Sequence, residues 1–276
     1  MNIAKIKLYT GRAMADVFQA EETRRFQSTS VYEDIALDNG PGRHRIGLIV
    51  LSNDYTVERD FMKMRPNDEV AIFTTRIANT PDCTVSSLRE MAPKIADAAD
   101  LLIPDGRLDT VAYACTSGSV VIGYDTIKSH IHSVRPDAAC ITPITASLAA
   151  LDSFGVDKLA VLTPYVDEVN AAIADHLRAA GKTIGAFSSF RIEDNEEMAA
   201  LTGEAIFKAA KKADTAAADA LFISCTAIRA VEVIDRLEQA LGKPVITANQ
   251  AMFWQALRVA GCNAKIEGYG ALLRKF

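Results

Sequence analysis

The chain has 276 residues, a formal net charge of −5, 49% hydrophobic residues and 24% charged ones, a composition that allows two globular domains of ordinary size. Both signs of charge are mixed along its length, which leaves no basic footprint for nucleic acid. No apolar run reaches the ~20 residues that cross a bilayer, and no charged segment leads into an apolar core at the N-terminus, so a cytoplasmic protein with no membrane partner is expected.

Residues 1–44 read as an N-terminal extension, with a weak helical pattern from Met14 to Gln27 and a Gly40-Pro41-Gly42 break before the first strand. Residues 45–150 read as a first α/β lobe. Its strands are 46–51, 70–76, 110–115 and 139–142, and its helices are 86–101 and 119–133, the former opened by Ser86, Ser87 and Glu90 in capping-box fashion. Residues 151–276 read as a second lobe that repeats this order. Strands are expected at 159–163, 183–190, 220–224 and 245–247, and helices at 166–180, 195–214, 227–241 and 249–260. Short apolar runs alternating with helices predict an α/β fold of two pseudo-symmetric, doubly wound parallel-sheet lobes with a ligand cleft between them.

The repeat carries chemistry. Val111-Ala112-Tyr113-Ala114-Cys115-Thr116-Ser117 and Leu221-Phe222-Ile223-Ser224-Cys225-Thr226-Ala227 each run a strand into a Cys-Thr, 110 positions apart (225 minus 115). Asn53 precedes Cys115 by 62 positions and Tyr165 precedes Cys225 by 60, the near-constant spacing a duplicated unit leaves behind. A single buried cysteine is ordinary core material; the matched pair argues for function. A parallel strand's carboxyl end exposes groups to a ligand, and a following helix N-terminus lowers a thiol's pKa, so Cys115 and Cys225 are candidate catalytic thiols. Thr116, Ser117 and Thr226 add short donors suited to a carboxylate. Asn53, Tyr165 and Asn195 lie at further strand ends, although turn formation, capping or packing would account for any one of them.

Other chemistry lacks its signature. Gly118 and Gly123 form neither a dinucleotide nor a phosphate-binding motif, and Ser117 is not in a nucleophile elbow, so no cofactor is expected. His130 and His132 stand two apart on a helix and face apart, so no metal is expected either. The five cysteines, Cys83, Cys115, Cys140, Cys225 and Cys262, are odd in number and scattered, as reduced thiols are.

The segments 46–61, Ala114-Cys115-Thr116-Ser117-Gly118, Val161-Leu162-Thr163-Pro164-Tyr165, Ser224-Cys225-Thr226 and Gly242-Lys243-Pro244-Val245-Ile246-Thr247-Ala248-Asn249-Gln250-Ala251 resemble the aspartate/glutamate racemase superfamily. The branch is that of maleate cis-trans isomerase and arylmalonate decarboxylase, and within it the ectoine-utilization protein A group. The resemblance implies a cofactor-free enzyme of two α/β lobes, assembled as a dimer or larger homo-oligomer, that acts on a small carboxylate. It implies Cys115 as nucleophile or first base and Cys225 as the opposing acid/base, with Asn53, Tyr165 and Asn195 holding carboxylates and Thr116, Ser117 and Thr226 adding hydrogen bonds. Decarboxylases of the branch usually keep only the second cysteine, so two thiols point to isomerisation. The alternatives are racemisation or epimerisation of an amino acid or ectoine-derived acid, an arylmalonate-type decarboxylation, and a non-catalytic binding protein. Asp54, where isomerases tend to have another residue, would repel a dianion if it entered the pocket.

Overall fold

The computed structural model describes residues 28–32 and 35–276, and the helical pattern expected at 14–27 lies outside them. Residues 41–276 form one compact unit.

In chain order the compact unit runs through β1 (His44–Leu51), α1 (Val57–Met64), β2 (Val70–Ile77), α2 (Val85–Arg89), α3 (Ile95–Asp100), β3 (Thr110–Tyr113), α4 (Thr116–Ile122), α5 (Tyr124–His132), β4 (Ala139–Ile141) and α6 (Pro143–Ser153). It continues with β5 (Lys158–Thr163), α7 (Asp167–Ala179), β6 (Thr183–Ser189), α8 (Asn195–Ala200), α9 (Gly203–Ala213), β7 (Ala220–Ile223), α10 (Ile234–Leu241), β8 (Val245–Thr247), α11 (Ala248–Val259) and α12 (Gly270–Lys275). The strands form two parallel four-stranded sheets in the orders β2-β1-β3-β4 and β6-β5-β7-β8. The second repeats the first, as the duplicated pattern predicts. Strands covered on both faces must be apolar throughout, and Ile46, Leu48, Ile49, Val50, Val111, Ala112, Leu159, Val161, Leu221, Phe222 and Ile223 are all buried.

The helix that follows each fourth strand holds the halves together. α11 packs against α6 and also meets α1, β1, β3 and β4, while α6 also touches β8. Phe61 of α1 meets Phe253 of α11 edge to face, with ring centroids 4.9 Å apart, a geometry that adds to plain area burial.

Several expected helices are shorter than their periodicity. The stretch 86–101 breaks because Pro93 sits in a 3₁₀ turn at Ala92–Lys94, and its cap is Thr84 with Ser87, each side chain accepting the other's backbone N–H. The stretch 119–133 starts earlier, at Thr116, and breaks at Gly123, whose φ of +90° no helix accommodates. The stretch 195–214 breaks after Ala200 and restarts where Thr202 Oγ1 accepts the Ala205 N–H. The stretch 227–241 begins only at Ala230, as a 3₁₀ turn. α6 and α12 lie outside the expected helices; Pro143, just past the strand expected at 139–142, occupies the first turn of α6, where its missing N–H is harmless.

A buried acid ties α1 to the second half. Asp60, with no exposed surface, accepts from Asn249 Nδ2 at 2.9 Å, and that same nitrogen donates to the Thr226 carbonyl at 2.9 Å. Burial pushes the Asp60 carboxyl from 3.8 up to about 7, against the hydrogen bond from Asn249 and the charge of Arg59. Its folded pKa lies above its unfolded one, so the fold holds the extra proton between those values. Stability from this group is therefore present at low pH and lost as pH rises through that window, by on the order of 4 kcal/mol. Asp60→Asn should melt several degrees higher than the parent at pH 8 and flatten the fall in melting temperature between pH 4 and 7; an unchanged slope in scanning calorimetry would refute this.

Candidate active site

The two cysteines occupy matching places beyond matching strands but differ in backbone. Cys115 is extended (φ −146°, ψ 113°) and caps α4, its Sγ accepting the Gly118 N–H at 3.2 Å. Gly118 permits this approach, because a Cβ there would lie 2.9 Å from that sulfur. Cys225 sits at φ +150°, a region sparsely used by residues with a Cβ and costing on the order of 1–3 kcal/mol. Its Sγ accepts the Ala227 N–H at 3.3 Å. The strained loop is tied on several sides: Thr226 Oγ1 donates to the Ala114 carbonyl at 3.2 Å, Thr56 Oγ1 donates to the Ala227 carbonyl at 2.6 Å, and Asn249 holds the Thr226 carbonyl. The Cys225 loop is thus fastened to the strand end that presents Cys115.

One narrow cavity of about 20 Å³ is lined by both cysteines and by Asn53, Asp54, Asn79, Cys83, Thr116, Ser117, Tyr165, Asn195, Thr226 and Ala227, among others. All eight residues singled out from the sequence line it. Its room is roughly that of a single water, so the lining must part to admit even a four-carbon acid. The rim is closed by strand-like pairing across the halves: Cys83 N–H donates to the Glu193 carbonyl at 3.1 Å and Asn195 N–H to the Pro81 carbonyl at 3.3 Å, an isolated antiparallel bridge between Asp82 and Asp194.

The lining presents uncharged donors. Thr116 Oγ1 is buried with no hydrogen-bond partner. Ser117 Oγ lies 3.5 Å from Cys83 Sγ and 3.7 Å from Cys115 Sγ. Asn195 Nδ2 gives one hydrogen to the Pro81 carbonyl at 3.1 Å, leaving its second. The Tyr165 hydroxyl is hydrogen-bonded to the Cys225 sulfur, and burial keeps its pKa well above the ordinary phenol value, so it remains a donor. Thr226 spends its hydroxyl proton on Ala114 and faces the cavity only as an acceptor. Tyr55 does not line the cavity; it is exposed and donates to Glu196 Oε1 at 3.3 Å.

The expectation that a helix N-terminus lowers the thiol pKa fails in this closed arrangement. Burial pushes Cys115 up to about 11 and Cys225 up to about 12, outweighing the N–H groups of Gly118 and Ala227 and the hydroxyls of Ser117 and Tyr165. The thiols are 4% and 5% exposed, and removing water from a thiolate outweighs a few donors. Asp54 does enter the lining, but its Oδ1 accepts the N–H groups of Thr56 and Val57 at 2.7 and 2.8 Å to cap α1. Burial raises its carboxyl to about 6.

The lining residues not found from the sequence include Asn79 and Cys83. Cys83 stands 112 positions before Asn195, the same separation as the ends of β2 and β6, so aligning the repeat through Ile77 and Ser189 would have placed it at the site.

A family model described as arylmalonate decarboxylase matches residues 46–273. A maleate isomerase of Nocardia farcinica is 27% identical over 251 residues, 85% of this chain and 97% of that protein. An arylmalonate decarboxylase of Bordetella bronchiseptica is 34% identical over 136 residues, 48% of this chain and 57% of that protein. A solved structure of the Nocardia farcinica maleate cis-trans isomerase, a cysteine-to-serine mutant with a covalently bound succinylcysteine intermediate, superposes with a TM-score of 0.78 at 23% identity, covering 84% of this chain and 99% of that one. The matched stretch takes in both sheets and both cysteine loops, and the chain belongs to the arylmalonate decarboxylase family.

Proposed function

We propose that this protein is a cis-trans isomerase of a small dicarboxylate of the maleate kind, with Cys115 as nucleophile and Cys225 as opposing acid and base. The observation that carries the reading is two thiols from matching strand ends in one cavity that also presents uncharged donors. Cys115 thiolate forms an S–C bond to one olefinic carbon, and the π pair moves to the neighbouring carbon, which takes the Cys225 proton. The former double bond, now single, rotates. Cys225 thiolate then removes a proton, the pair re-forms the double bond, and Cys115 leaves as thiolate. The two thiols serve every bond made or broken, so the reading calls for no cofactor. Asn53, Thr116, Ser117, Tyr165 and Asn195 hold the carboxylates, and Thr226 positions the Cys225 loop. The maleate isomerase relatives support this reading, as does the succinylcysteine seen in the Nocardia protein.

Asp54 favours a second reading, racemisation or epimerisation of an amino acid or ectoine-derived acid, because a cavity-lining carboxylate above pH 6 suits a substrate with a cationic nitrogen. Proton NMR in deuterated water separates the two. Maleate converted to fumarate supports the first; no fumarate, together with solvent deuterium entering Cα of an amino acid, replaces it with the second. The same reading takes the protein as a cytoplasmic homo-oligomer. The five cysteines, all free, support the first of these, and among the described residues no helix is long and apolar enough to cross a membrane.

A further inference from the structure

Asparagine is a good carboxylate ligand only when its nitrogen, and not its oxygen, faces the anion. Nothing within the Asn53 side chain decides which end points into the cavity. Asn79, beyond the end of β2, decides it. The Ser52 backbone N–H lies 3.0 Å from Asn79 Oδ1, and a backbone N–H can only donate, so the atom it meets is an oxygen. The Ser52 hydroxyl donates to the same oxygen at 2.8 Å. The other end of Asn79 is therefore its Nδ2, which donates to the Thr80 carbonyl at 2.8 Å and to Asn53 Oδ1 at 2.8 Å. Both lone pairs and both hydrogens of the Asn79 amide are used. Asn53 Oδ1 is thus taken by Asn79, and no described residue accepts from Asn53 Nδ2, which leaves that end of the amide free for a ligand in the cavity that both residues line.

From this chain of donors we infer that Asn79 is a positioning residue for carboxylate binding: starting at the Ser52 backbone, it fixes the orientation of the Asn53 amide so that two N–H groups face the bound acid. The inference rests on the carboxylate-binding reading of the site, but not on the isomerisation step. It fits the absence of cations from the lining, since an anion held by neutral donors depends on every donor being turned the right way.

Asn79 acts through Asn53, so its effect on binding must disappear when Asn53 is gone. The test is a double-mutant cycle of Asn53→Ala and Asn79→Ala. Two readouts are used: the KM and kcat for maleate, and calorimetric binding of succinate, which has no double bond to react. Asn79→Ala alone is expected to raise the maleate KM and weaken succinate binding by roughly 5- to 20-fold, with kcat within about threefold of the parent. Added to Asn53→Ala, it should change succinate affinity by less than about twofold. An equal loss of affinity in both backgrounds would show that Asn79 merely braces the loop and overturns the inference. Asn79→Ser, which keeps an oxygen but is too short to reach Asn53, gives the same comparison should the alanine variant fold poorly. A parent that binds succinate without turning over maleate removes the isomerase reading and leaves the cycle readable; a parent that binds neither acid overturns the inference.

Discussion

Cys115→Ser is expected to lower turnover of maleate by about a thousandfold or more, because a serine hydroxyl, far less acidic than a thiol, is a poor nucleophile without a base positioned to deprotonate it. Cys225→Ser should reduce turnover comparably but at a different step. The S–C bond at Cys115 can still form slowly with a solvent proton, whereas the group that must remove a proton to expel the thiol is gone. Incubating Cys225→Ser with maleate should therefore leave a covalent adduct, read by intact-protein mass spectrometry as a gain of one maleic acid and mapped by proteolysis to Cys115. Cys140→Ser and Cys262→Ser, at buried thiols outside the cavity, should keep the parent rate. Full turnover in either Cys115→Ser or Cys225→Ser would end the two-thiol mechanism, and an adduct mapped to Cys83 would move the nucleophile.

That experiment turns on a feature visible in the bare sequence. The succession of strands along the chain and both Cys-Thr loops were legible because parallel strands buried on both faces leave continuous apolar runs, and duplication shows each run twice; the eight candidate residues were picked from the ends of those runs, and all line the cavity. The helices were less legible. Periodicity at 86–101, 119–133 and 195–214 reports which face is buried, and that face continues across Pro93, Gly123 and Thr202 even though the backbone hydrogen bonding does not. Asn79 was illegible, and Cys83 legible only through the repeat, for a different reason. They follow an edge strand whose β2 sequence is only partly buried, so no strong apolar run announces the loop. Their partners, Ser52 and Asn53 for one and Glu193 for the other, are distant in sequence. The capping chemistry at Cys115 was foreseen in kind and misjudged in outcome: the Gly118 N–H does reach the sulfur, yet desolvation dominates because the opposite half seals the loop.

The sealed thiols make the pH dependence the second large effect. The reactive form of the free protein carries Cys115 as thiolate and Cys225 as thiol. With Cys115 held near 11, only about one molecule in ten thousand is in that form at pH 7, and the fraction rises tenfold with each pH unit. The value near 12 for Cys225 lies above that of Cys115, so the acid keeps its proton throughout. Since kcat/KM reports the free enzyme, its logarithm for maleate should climb with a slope near one from pH 7 to 9.5. Asp54, ionising near 6, lies below this range and leaves the slope untouched. Iodoacetamide alkylation of Cys115 in the absence of substrate should follow the same line and be far slower at pH 7 than that of a free thiol. A plateau in kcat/KM between pH 7 and 9.5, or an alkylation midpoint below the ordinary cysteine value, would mean that opening of the cavity hydrates Cys115 before it reacts, and that the closed arrangement does not set its charge.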